Sequence, residues 1–109
     1  MADVAITALN TQLKKLGNAS SLHSAGRSVR KDLEGAREEI AKAIDCQASE
    51  VIFTATGTEA NNLAIKGLYW KGVKENKKVI ITSTFEHHAV MDPIVWLAEH
   101  EGAQIVGIN

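Results

Sequence analysis

The sequence predicts a mixed α/β fold: two N-terminal helices, then a strand–helix–strand–helix–strand run belonging to a mostly parallel sheet. Three observations predict it. Apolar residues recur at three- and four-residue steps through the first 44 positions. Three short apolar runs, Val51–Thr54, Val79–Ile81 and Ile105–Ile108, then alternate with helical patterns. Those runs are continuous rather than alternating, as expected of parallel strands buried on both faces.

Each element has its own signal. Ile6, Leu9, Leu13 and Leu16 form a helical stripe, with Gly17 placed as a C-terminal stop. Val29, Leu33, Ala36, Ile40 and Ile44 form a second stripe, opposite a face bearing Arg30, Lys31, Glu34, Arg37, Glu38 and Glu39. Ser20 or Ser21 is the expected N-cap of that helix. The turn-rich "DCQASE" leads into the strand Val51–Thr54. A helix from about Thr58 to Trp70 follows, presenting Leu63, Ala64, Gly67 and Leu68. Polar "KENKK" joins it to the strand Val79–Ile81. The last helix starts between His88 and Pro93, carries Ile94, Leu97 and Ala98, and stops near Gly102 before the strand Ile105–Ile108.

Composition narrows the function classes. At 109 residues, 45% apolar and 23% charged, the chain has the make-up of one small globular domain. A net charge of -1 without a Lys/Arg block argues against nucleic acid. The apolar runs are far too short to span a membrane as a helix, and "MADVAITALN" lacks the basic start and long apolar core of a signal peptide. A single cysteine, Cys46, makes neither an internal disulfide nor a multi-thiolate metal site. The expected location is cytoplasmic.

Two segments carry chemistry. In "TATGTEANN" (Thr54–Asn62), Thr56 and Glu59 have capping-box spacing, while a glycine at a strand-to-helix turn leaves backbone donors for a phosphate. Spacing alone does not separate the two readings. The second segment is "FEHHAVMDP" (Phe85–Pro93). Each segment follows a strand, so in a parallel arrangement both lie at the carboxyl edge, where open α/β sheets bind ligands. One offers a helix N-terminus to an anion; the other offers a flat imidazole. Together they fit a phosphorylated planar ligand. A metal site at Glu86, His87 and His88 is disfavoured, because successive extended residues face opposite ways and a histidine pair is too few ligands. His88 is read as helping to start its helix, His23 and His100 as structural, and Cys46 as a buried or half-buried helix-end residue.

"GNASSLHSAGR" (Gly17–Arg27), "IFTATGTEANNLAIKG" (Ile52–Gly67) and "TSTFEHHAVMDP" (Thr82–Pro93) resemble the large domain of cysteine desulfurases, pyridoxal-phosphate enzymes of the class V aminotransferase superfamily. Order and spacing match over nearly the whole chain, and "EHHAV" followed by Met-Asp-Pro resembles the branch serving nitrogenase and iron–sulfur cluster assembly. The resemblance implies that Gly57 and Thr58 hold the cofactor phosphate. It implies that His87 stacks on the pyridine ring and takes acid–base duties. The usual Asn-Pro-Ser-Ser is here Asn18-Ala19-Ser20-Ser21, which frees the backbone but removes no chemical group.

Other family parts have no match. No lysine follows a Ser-x-His pattern, as the Schiff-base lysine does, and Cys46 is too early to be the persulfide cysteine. The resemblance therefore implies an incomplete cofactor-binding domain over residues 1–109, with no second domain. The complete enzyme would convert L-cysteine to L-alanine, pass persulfide sulfur to an iron–sulfur scaffold or other acceptor protein, and act as a homodimer. Alternative readings are a non-catalytic remnant, a module complementing a second chain, or a related class V aminotransferase or selenocysteine lyase. A nucleotide-binding module is disfavoured by the absence of a GxGxxG or P-loop pattern.

Overall fold

The computed structural model describes residues 2–15, 17–20 and 23–109. They fall into two compact units, Met1–Ile52 and Phe53–Asn109.

The first unit is helical. Helix α1 (Asp3–Gln12) opens with an acid in its first turn, where negative charge complements the helix dipole. Thr7 and Thr11 donate their hydroxyls back to the carbonyls of Asp3 and Thr7, at 3.0 and 2.9 Å. The helix ends well before Gly17, the expected stop, with Leu13 as C-cap; Leu16 lies outside the described residues. Gly17 serves another purpose. A Cβ there would meet the Ala25 carbonyl oxygen and Val29 Cγ2 at 2.8 Å, so only glycine allows that approach.

Helix α2 (Ser24–Ala43) has His23 as N-cap, with no side-chain cap bond. That corrects the expected serine cap. The Ser20 N–H instead donates to Asn18 Oδ1 at 2.9 Å, closing a local turn; Ser21 lies outside the described residues. The apolar stripe has the predicted spacing but stays largely uncovered: only Gly26 and Ala41 of this helix are buried. On the charged face, Lys15 Nζ meets Asp32 Oδ2 at 2.6 Å. That hydrogen bond holds the Asp32 carboxyl below its ordinary value. A lowered pKa means the pair's contribution is complete above the ordinary carboxylate range and fades as pH falls through the depressed value.

Beyond α2, Asp45 takes a left-handed φ of 54°. The Gln47 N–H then donates to the Glu50 carboxylate at 2.8 Å, closing the short 3₁₀ turn Ala48–Glu50. The half-buried Arg37 side chain donates through Nη1 to the Val51 carbonyl and through Nε to Glu34. The expected strand Val51–Thr54 is not formed: Val51 is extended at φ -89°, ψ 117°, but the segment belongs to no sheet among the described residues. An extended segment becomes a strand only when its N–H and C=O groups find a ladder partner.

The second unit is α/β. It runs α3 (Gly57–Val73), β1 (Val79–Ser83), α4 (His88–Glu101) and β2 (Gln104–Ile108). Strands β1 and β2 pair in parallel, from Val79 opposite Gln104 to Ser83 opposite Ile108, with α4 as the crossover. A turn with Asn76 at φ 60° joins α3 to β1, and the Lys77 N–H reaches back to the Gly72 carbonyl at 2.9 Å. Gly102 ends α4 at φ 71°, the left-handed conformation glycine adopts without strain.

Tyr69 of α3, Leu97 of α4 and Ala103 form the core, with Ile65, Val73, Ile80 and Ala98 packed against it. This covers one face of the sheet. The other face is bare, with Val79 54%, Ile81 67%, Val106 46% and Ile108 56% exposed. Burial on both faces, expected from the continuous apolar runs, is therefore not realised among the described residues.

Candidate active-site edge

The bond from Tyr69 Oη to the Glu101 carbonyl, 3.0 Å, joins the last turns of α3 and α4. Halfway along the same pair, Lys66 Nζ sits 4.1 Å from the centre of the Trp96 ring. Tyr69 and Lys66 lie 12 and 9 residues beyond Gly57; Glu101 and Trp96 lie 13 and 8 beyond His88. Helices joined at matching heights run parallel, so their first turns sit at the same end. That end is the carboxyl edge of β1, because α4 starts there directly after the strand.

At the start of α3, the capping reading is realised without using the donors that the phosphate reading would need. Thr56 is the N-cap, and its Oγ1 accepts from the Glu59 N–H at 3.1 Å. The Glu59 carboxylate reaches past the cap residue to the Ala55 N–H at 2.8 Å. Thr54 Oγ1 donates to the Thr56 carbonyl at 3.0 Å, drawing the approach to the helix tighter. These bonds leave the N–H groups of Gly57 and Thr58, both exposed, with no acceptor among the described residues. Neither backbone nor packing among the described residues demands glycine at 57: its φ is not positive, and a Cβ would meet nothing of them within 4 Å. The space a side chain would take is open to a ligand.

At the start of α4, His87 is the N-cap, and its Nδ1 accepts from the Ala89 N–H at 3.0 Å. His88 is the first helical residue, as expected of a helix starter, with Nδ1 3.6 Å from Asp92 Oδ1. The two rings meet edge to face at 6.2 Å. Histidine is not among the usual N-cap residues, so the sequence pattern passed over this role. The signal was positional: His87 stands immediately before the helical run, and an imidazole nitrogen can accept as an aspartate oxygen does. Among the described residues, no group of three His, Cys, Asp or Glu could hold a metal ion, and no helix is long and apolar enough to cross a membrane.

The arrangement thus offers two backbone donors and a threonine hydroxyl at one helix start and an imidazole at the next. An anion is favoured at α3, where unpaired N–H groups and the helix dipole act together.

Comparison with known proteins bears on what uses such an edge. Residues 2–109 match the model of the family described as aminotransferase class-V. The chain is 50% identical over 107 residues to an IscS-like cysteine desulfurase of Mycobacterium tuberculosis (strain ATCC 25618 / H37Rv), covering 96% of this chain and 27% of that protein. It is 51% identical over 84 residues to a cysteine desulfurase IscS of Dictyoglomus turgidum, covering 77% of this chain and 21% of the relative. Among solved structures, a NifS-like protein superposes with a TM-score of 0.84 at 28% identity, over 99% of this chain and 29% of its own. DndA from Streptomyces lividans superposes at 0.79 and 36% identity, over 96% and 29%. The chain therefore spans only a quarter or so of its relatives' length. It belongs to the class-V aminotransferase family, and its relatives are cysteine desulfurases.

Proposed function

We propose that this chain supplies the early, cofactor-side part of a pyridoxal-phosphate-dependent cysteine desulfurase. The parallel alignment of α3 and α4 supports the reading most, because it brings a phosphate-type donor set and an imidazole to one edge of the sheet. The Gly57 and Thr58 N–H groups and the Thr58 hydroxyl would hold the cofactor phosphate. The donors fit, since the local cap leaves them without acceptors among the described residues. His87 would lie against the ring. Pyridoxal phosphate, when bound, supplies an electron sink for bond cleavage at the substrate's α-carbon.

The complete enzyme would act on L-cysteine and pass sulfur to an iron–sulfur scaffold or another acceptor. It would do so in the cytoplasm and as a homodimer. Residues 1–109 would form an incomplete cofactor-binding domain, silent alone because the Schiff-base lysine and persulfide cysteine lie in parts of the family pattern that these residues do not match.

A chimera tests this. The chain would replace the matching residues of the Mycobacterium relative, and cysteine-dependent sulfide release would be measured. The chimera should release sulfide and the 109-residue chain alone should not. Sulfide from the chain alone above an unrelated protein of similar charge, or a well-folded but inactive chimera, would contradict the reading.

A further inference from the structure

The cap on α4 constrains what His87 can do at the site just proposed. A neutral imidazole has one N–H and one lone pair. Here the lone pair is engaged: Nδ1 accepts from the Ala89 N–H at 3.0 Å, so the ring proton resides on Nε2. The ring is exposed, its His88 neighbour meets it edge to face, and no other bond to it is present among the described residues. Its faces and its Nε2 side are the parts a ligand can approach.

We propose that the Ala89 backbone N–H is a positioning group which locks His87 as the Nε2–H tautomer. While the cap holds, His87 serves its ligand as a flat platform and an Nε2–H hydrogen-bond donor, with no lone pair free to take a proton. A further proton can add to that ring only at Nδ1, the atom that holds the Ala89 N–H. The inference rests on the proposed function for the identity of the ligand, but not for the tautomer.

Nitrogen-15 NMR of the histidine-labelled chain tests it without cofactor, in solution or by magic-angle spinning if the chain assembles. The His87 signal, assigned by its loss in His87→Asn, should show a protonated Nε2 and a bare Nδ1. Amide exchange supplies an independent check. His87→Asn keeps a cap acceptor, so Ala89 should stay protected; His87→Ala removes it, and exchange there should quicken about fivefold or more, the equivalent of losing a cap worth about 1 kcal/mol. A protonated Nδ1, or equal exchange at Ala89 in wild type and His87→Ala, would overturn the proposal. Because none of these readouts uses pyridoxal phosphate, failure here leaves the desulfurase reading standing, and an inactive chimera leaves the tautomer standing.

Discussion

Thr58→Val in the active chimera should weaken retention of pyridoxal phosphate tenfold to a hundredfold, measured by equilibrium dialysis. The valine keeps the shape and the backbone N–H but removes a hydroxyl donor to a charged phosphate. A hydrogen bond to a charged group contributes about 1.5–3 kcal/mol, and about 1.4 kcal/mol is a factor of ten in affinity. Thr58→Ser should recover most of the loss, since the hydroxyl returns. Gly57→Ala gives a complementary result. Its Cβ meets nothing within 4 Å among the described residues, so folding should be untouched while the added methyl intrudes where the phosphate would sit. Unchanged retention in both Thr58→Val and Gly57→Ala would remove the phosphate role from this turn.

The second large effect concerns assembly. The isolated chain should elute from a sizing column well above its 11.8 kDa mass. Among the described residues, Val79, Ile81, Val106 and Ile108 leave an apolar sheet face uncovered, and β1 pairs on only one edge. A groove of about 610 Å³ lies between α3 and β1, lined by Ile65, Leu68 and the whole of β1. Unpaired edges and apolar patches both promote self-association. Ile81→Lys puts a charge in the middle of that face without touching the Tyr69–Leu97 core, and it should shift elution strongly toward the monomer. A wild-type chain that is already monomeric and unfolds cooperatively would contradict the argument.

How much was legible in the sequence follows the range of the forces involved. Helix α4 and strands β1 and β2 were readable because their signals are local. Gly102 is the left-handed stop it looked like, and the apolar runs pair in the parallel sense expected. The strand at Val51–Thr54 was not, because a ladder depends on partners remote in sequence and the described residues offer none. Near α2, Ser20 looked like a cap, but the helix begins only after His23, and Ser20 instead gives its own N–H to Asn18 Oδ1 in a local turn that spacing does not reveal. Gly17 looked like a stop, yet its role is set by Ala25 and Val29 pressing on it. At the proposed site, Gly57 and Thr58 were singled out by pattern and by the family resemblance. The sequence left cap and phosphate as rivals; in the structure the cap uses the N–H groups of Glu59 and Ala55, so it does not compete for those of Gly57 and Thr58 that the phosphate proposal needs.

The central claim is that the first turn of α3 receives the cofactor phosphate, and amide exchange at Gly57 and Thr58 tests it most directly. The chimera would be followed residue by residue with and without pyridoxal phosphate, using pyridoxal, which lacks the phosphate, as the control. Both amides should exchange freely without cofactor, because the cap leaves them unpaired, and become strongly protected only with the phosphorylated form. Protection by pyridoxal alone, or cofactor binding that leaves Gly57 and Thr58 exchanging as before, would contradict the claim.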